Sequence, residues 1–372
     1  MQAAANLHLV VTGAAFVLGF VFGAVGNRIG FCTMGAVADI VSFGDWRRMR
    51  MWMLAIAVAI AGTTALQAAG LVDLGKSIYT NASVAWLSAT VGGLLFGIGM
   101  TLASGCGAKT LIRIGGGNLK SLVVLLFMAV SAFMTLKGLF AVWRVNALDA
   151  VRFDVSTLGA ASSDLPTLGA ALGLGTSAKA WLGYAVAALI GAWVFRSRAF
   201  RGAGKMIAGS VVIGAVIVGG WFVTAHLGYV AEDPQTLEEK FVATYSGRAE
   251  SFSFVGPLAN LLEWLVLWTD QSRTLTFGIA GVLGVAAGSG AAARSTRTFR
   301  WEGFASVGDL ANHIVGGVLM GFGGITALGC TIGQGLTGVS TLAAGSFVAL
   351  ASIIVGSVLA LRYHEWRLGR VG

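Results

Sequence analysis

Leu94–Ile112 reads LLFGIGMTLASGCGAKTLI, and Val318–Leu336 reads VLMGFGGITALGCTIGQGL. At an offset of 224 the two stretches share Leu95/Leu319, Gly97/Gly321, Gly99/Gly323, Ala103/Ala327, Gly105/Gly329 and Cys106/Cys330. Each is a glycine-rich apolar run closed by a Gly-Cys pair. Small residues at this density let helices approach backbone to backbone, which is how helices associate where lipid removes the hydrophobic drive. The GxxxG pairs Gly19/Gly23, Gly93/Gly97 and Gly317/Gly321 carry the same packing signal.

Working outward, nine apolar stretches have about the 20 residues a membrane span needs: about 7–26, 51–72, 83–103, 121–142, 179–195, 206–228, 274–293, 310–328 and 339–361. The whole chain of 372 residues agrees, being 56% hydrophobic and only 11% charged. Its mean hydropathy is +0.82. Soluble domains carry about 25% charged residues, so a soluble enzyme and a disordered chain are both excluded. The first stretch does not read as a cleaved leader, because no Lys or Arg precedes Arg28. Two shorter apolar segments, Phe31 to Phe43 and Phe252 to Trp268, read as half-helices dipping into the protein. The second holds Pro257 and Glu263.

The pattern predicts an all-α polytopic membrane protein forming one transmembrane domain over 1–372. It divides into a first unit at about 7–142, a linking span at 179–195 and a second unit at about 206–361. Cys32 falls on Gly256 at the same offset, beside Pro257 in the other half-helix. A four-span unit returns to its starting face, so one extra span inverts the second unit, a transporter architecture.

Charge sets the orientation. The net charge of +9 comes from basic residues scattered in short connections, which speaks against a nucleic-acid surface. Lys76, Lys137, Arg144, Arg152, Lys179, Lys240, Arg248 and Arg273 fall on the N-terminal side, leaving 17 of 25 on the other, among them Arg47, Arg48, Arg50, Arg196, Arg198, Arg201 and Lys205. The positive-inside rule then puts the N-terminus outside and the C-terminus in the cytoplasm. The long loops 143–178 and 229–272 face outward. The Cys32 and Cys106 turns enter from the cytoplasm and the Cys330 turn from outside.

Three cysteines, an odd number far apart, form no disulfide framework. Zinc wants four nitrogen or sulfur ligands, and His8, His226 and His364 lie at span ends or in the tail. A dithiol enzyme favours C-x-x-C, which is absent. The thiols Cys32, Cys106 and Cys330 fit a path for a sulfur compound, since a thiol is polarizable and a weak donor. Lys109 and Arg28 are candidate anion-attracting cations, and Asn260, Thr331 and Gln334 candidate polar wall groups. Asp39 and Glu263 read as caps or cation partners, with proton coupling the other reading.

Gly26-Asn-Arg-Ile-Gly-Phe-Cys-Thr-Met-Gly35, the span closing at Cys106, and Gly316 through Cys330-Thr-Ile-Gly-Gln-Gly335 resemble the YeeE/YedE family of inner-membrane sulfur transporters. Gly281–Phe299 and Gly256-Pro-Leu-Ala-Asn260 are similar too. The resemblance covers nearly the whole chain and is nearest to thiosulfate-uptake members. It implies a nine-span fold dented toward its centre, with thiosulfate passing Cys32, Cys106 and Cys330. Selenium compounds are the alternative cargo, and a membrane thiol oxidoreductase the reading from another class. No cofactor or metal is expected. Each charge moved inward against 100 mV costs about 2.3 kcal/mol. A dianion therefore needs accompanying cations or cytoplasmic consumption, and a sulfurtransferase of the TusA or rhodanese kind is the expected partner.

Overall fold

The computed structural model describes residues 2–174, 178–233 and 237–368. The helices are α1 (Gln2–Ile29), α2 (Thr33–Phe43), α3 (Arg47–Ala68), α4 (Trp86–Leu102), α5 (Gly107–Gly115), α6 (Leu119–Lys137), α7 (Leu139–Trp143), α8 (Leu165–Gly169), α9 (Ala178–Phe195), α10 (Arg198–Arg201), α11 (Gly204–Phe222), α12 (Val255–Val266), α13 (Phe277–Ser295), α14 (Val307–Thr326) and α15 (Ala344–Leu368). Four two-residue strands, β1 (Ser83–Val84), β2 (Phe153–Asp154), β3 (Tyr229–Val230) and β4 (Lys240–Phe241), pair as β1–β2 and β3–β4 in the loops.

The protein is an all-α polytopic membrane protein. Among the described residues, seven helical stretches are long and apolar enough to cross a bilayer. The expected spans at 179–195 and 310–328 are helices as well. The first runs through the shorter apolar segment Trp181–Phe195. The second, α14, carries Asp309 and His313 in its first two turns, which lowers its hydropathy. Both expected half-helices are present, as α2 and α12. Part of the long loops, 175–177 and 234–236, lies outside the described residues.

The sequence reading misses α5. No element is expected after Cys106, but Ala108, Leu111 and Ile112 are buried within 107–115 and give a short amphipathic helix. The fourth span also stops early, at Lys137, where Gly138 breaks the helix. The last starts at Ala344 rather than 339, because 333–338 winds as a separate π-helical turn.

Helix α1 packs along α13, α3 along α11, α4 along α15, and α6 along α14. At the centre α4 crosses α14. A β-carbon on Gly99 would lie 2.7 Å from the Gly316 carbonyl oxygen, and one on Gly316 2.6 Å from that of Gly99. A β-carbon on Gly92 would lie 2.8 Å from the Gly323 carbonyl, and the reverse distance is 2.5 Å. Only glycine permits this crossing.

Connections sort onto two faces. On the long-loop face β1 pairs with β2, Ser77 bridges Ala249, Lys76 pairs with Glu239, and Arg248 bonds Asn81. On the short-loop face Lys120 pairs with Asp309 at 2.7 Å, Asn118 donates to Glu302 at 2.6 Å, and Ser42 to Glu365 at 3.0 Å. Segments that the crossing order assigns to one side thus bond to each other.

Candidate functional site

Each cysteine sits at the same kind of helix break. Just after α1, α4 and α14 stand Gly30, Ser104 and Leu328, with left-handed φ of +64°, +55° and +57°. In each case the next residue closes the helix with a bond five residues back: Phe31 to Gly26 at 3.0 Å, Gly105 to Met100 at 2.8 Å, and Gly329 to Gly324 at 2.8 Å. This is the Schellman closure, which satisfies carbonyls at a helix end. The cysteine follows one residue later and opens a new short helix or turn.

The thiols therefore lie at helix starts, where free backbone N–H groups gather. The Cys32 sulfur accepts from the Gly35 amide at 3.3 Å. The Cys330 sulfur accepts from the Gly333 amide at 3.5 Å. Cys106 opens α5 with its thiol at the Ala108 and Lys109 amides. All three are free thiols, exposed by 6%, 1% and 0% for Cys32, Cys106 and Cys330. Cys106 lies within electrostatic reach of both of the others and Tyr79 within reach of Cys330, so Cys32, Cys106, Cys330 and Tyr79 follow one another.

Around this row lie buried polar atoms with no hydrogen-bond partner. They are the Thr33 hydroxyl, the Trp52 indole nitrogen, Gln334 Oε1 and Asn260 Oδ1, and the Thr331 hydroxyl has only the Cys106 thiol. Thr331 lies beside the Cys106 thiol. Trp52 packs against Gly335 in the turn after Cys330. An unpaired buried polar group costs about 1–3 kcal/mol, so several in one place mark a site made to meet a polar ligand. A cavity of about 190 Å³ opens on the long-loop face and ends at Leu328 and Gly329, with Tyr79, Ser253 and Asn260 in its wall. A smaller one of about 50 Å³ reaches Gln334.

At the opposite end stand cations. Lys109 and Arg113 lie within electrostatic reach of Cys32. The Lys109 stem lies against Gly105 and the Arg48 guanidinium against Gly35. Arg48 pairs with Asp39 at 3.3 Å, whereas Lys109 has no carboxylate partner among the described residues. Arg28 does not join this group. It is exposed and donates to Ser295 at 3.4 Å on the far side of α13.

Asp39 and Glu263 are partners of cations. Glu263 is 3% exposed and receives Lys137 at 2.7 Å, Arg273 at 3.3 Å and the Tyr245 hydroxyl at 2.9 Å. Sequence reasoning missed Arg113, Arg48 and Tyr79. Arg113 was within reach, because it lies four residues after Lys109 and so on the same helix face. Tyr79 gave no signal, since it sits in a loop that the fold brings over the Cys330 turn.

Comparison with known proteins bears on this arrangement. A family model described as sulphur transport matches residues 28–359. The thiosulfate transporter TsuA of Escherichia coli (strain K12) is 28% identical over 350 residues, covering 92% of each chain. The thiosulfate transporter TsuA of Spirochaeta thermophila is 26% identical over 350 residues, covering 91% of this chain and 95% of the relative. The match takes in Cys32, Cys106 and Cys330, and the chain belongs to the sulphur transport family.

Proposed function

We propose that this sulfur transporter imports thiosulfate, or a closely related sulfur anion, past Cys330, Cys106 and Cys32 in that order. The observation that carries the reading is the row of three free thiols at three equivalent helix breaks, lined by buried polar atoms that lack protein partners. A thiol offers a weak donor and a soft sulfur, which suits the terminal sulfur of thiosulfate. Lys109 and Arg113 draw the anion on with positive potential. The two relatives, both thiosulfate transporters by name, support the same cargo. No chemistry on the cargo is needed, so the chain is a carrier and not an enzyme.

In this reading the short-loop face is cytoplasmic and the membrane is the bacterial inner membrane, with the N-terminus periplasmic. A cytoplasmic sulfurtransferase consumes the cargo and keeps its internal level low. The chain is two inverted units. Gly92 and Gly99 lie 224 residues before Gly316 and Gly323, and the contacts cross: Gly92 meets Gly323 while Gly99 meets Gly316. That exchange is what an internal two-fold axis produces.

Uptake of labelled thiosulfate by cells lacking other sulfate-type importers tests the function. Accumulation that depends on this protein supports it, and uptake equal to the empty-vector control overturns it. Competition by selenite or selenosulfate separates the selenium alternative.

A further inference from the structure

Among the described residues that line the cavity on the long-loop face, one carboxylate appears: Glu250. Its sign is wrong for an anion site. Its backbone is fixed by Thr224, whose hydroxyl donates to the Glu250 carbonyl and accepts from the Glu250 amide. The clamp fixes where the side chain starts, at the cavity wall. Tyr79, in the same cavity wall, lies within electrostatic reach of both Glu250 and Cys330.

Among the described residues no cation is paired with this carboxylate. Arg144 shares the cavity but pairs with Asp149 at 2.8 Å and donates to the Thr135 carbonyl. Arg248 bonds Asn81, and Lys76 pairs with Glu239. His226, beyond Thr224, is engaged with the Leu71 carbonyl at 3.1 Å. The Tyr245 hydroxyl donates to Glu263, which Lys137 and Arg273 hold. Burial keeps the Tyr79 phenol protonated. The Ser246 hydroxyl, at 3.3 Å, is the side-chain donor on Glu250. Burial pushes the Glu250 carboxyl up to about 7.

We propose that Glu250 is the proton-binding residue of this cavity: the anion passes to Cys330 when the carboxyl is neutral and is turned away when it is ionised. A proton from the outer medium adds to the carboxylate oxygen, and no bond of the anion changes. Anion and proton binding then favour each other, because the bound dianion stabilises the neutral carboxyl. This residue gives the outer mouth a positive co-ion exactly where a dianion must leave water, and it rests on reading the chain as an importer of a sulfur anion.

The test is thiosulfate uptake by the purified full chain in proteoliposomes, with internal pH fixed and external pH varied. The wild type should lose at least about fivefold in initial rate from about pH 6 to about pH 8.5 as the carboxyl ionises. Glu250→Gln, which mimics the neutral form, should hold the low-pH rate across the range. A wild-type pH slope kept in Glu250→Gln overturns the proposal, as does a folded variant inactive at every pH. Should the variant not fold, a pH electrode reads the wild type directly: thiosulfate added in weak buffer near pH 7.5 should be accompanied by proton uptake, and none overturns the proposal. Absence of thiosulfate transport by the wild type at all pH values is a different outcome, which sinks the function itself.

Discussion

The fully buried Thr331 hydroxyl stands within hydrogen-bond reach of the Cys106 thiol and has no other partner among the described residues. Thr331 follows Cys330, so one residue links the two thiols. Thr331→Val keeps the shape and removes the hydroxyl. Removing a hydroxyl whose one partner is a weakly bonding thiol should change thermal stability by no more than about 1 kcal/mol. Uptake should fall about tenfold, equivalent to about 1.4 kcal/mol. A stability assay in detergent and a transport assay, read together, check this; a loss in both assigns Thr331 to packing.

On the proposed path the thiols act in series, so the slowest would limit flux. Alanine at Cys32, Cys106 or Cys330 should nearly abolish uptake while the protein still inserts and folds. Serine keeps a hydroxyl but loses the soft sulfur, and should restore little at Cys106 and Cys330. Near-normal growth on thiosulfate by the triple alanine variant would leave the cysteines as packing residues.

The cations differ in their expected effects. Lys109→Met and Arg113→Met should each lower uptake about tenfold, with the larger effect at low ionic strength. Arg28→Ala should stay within about twofold of wild type, because Arg28 faces Ser295 and not the thiols. Equal losses at all three positions would mean that general surface charge is responsible.

Orientation is tested by a membrane-impermeant thiol probe on cysteines introduced into a cysteine-free background. Positions in 143–178 and 229–272 should label from outside intact cells. Positions in 43–50, 196–205 and 294–304 should label only after the membrane is opened. Labelling of the second set in intact cells inverts the topology.

The central crossing has a stability signature. A methyl on Gly99 or Gly316 meets the opposing carbonyl at under 3 Å, so the helices must part. Gly99→Ala and Gly316→Ala should each destabilise by about 1–3 kcal/mol, a typical cost of overpacking. Gly256→Ala, with open space at its β-carbon, should be close to neutral. Melting in detergent distinguishes them.

Most of the fold was legible because membrane spans advertise themselves by length and apolarity. The GxxxG pairs also read correctly: Gly19 and Gly23 meet the Gly281 and Val285 carbonyls. The cysteine setting was legible as Gly-Cys turns. What stayed hidden depends on tertiary placement. Helix α5 is too short and too polar to register as a span, and its apolar face is visible only once its partners are known. Arg28 and Lys109 looked alike as cations near a cysteine. Arg28 precedes its cysteine and belongs to α1, which turns it toward α13. Lys109 follows its cysteine on α5 and stays with the thiols.

The contact of Gly99 with Gly316 limits how the molecule moves. Two helices touching through carbonyls and α-carbons have no side chains to re-pack in a second arrangement, and packed interfaces switch between discrete states rather than deforming smoothly. A rocking of one half against the other around this crossing would separate backbone atoms that nothing else fills. Opening toward either side of the membrane must instead come from the short pieces hung on the frame: α2, α5, α12 and the Gly333–Gly338 turn. Alternating access in this protein is then a matter of small local plugs shifting around a still centre, and the long helices should superpose closely between its outward-open and inward-open forms.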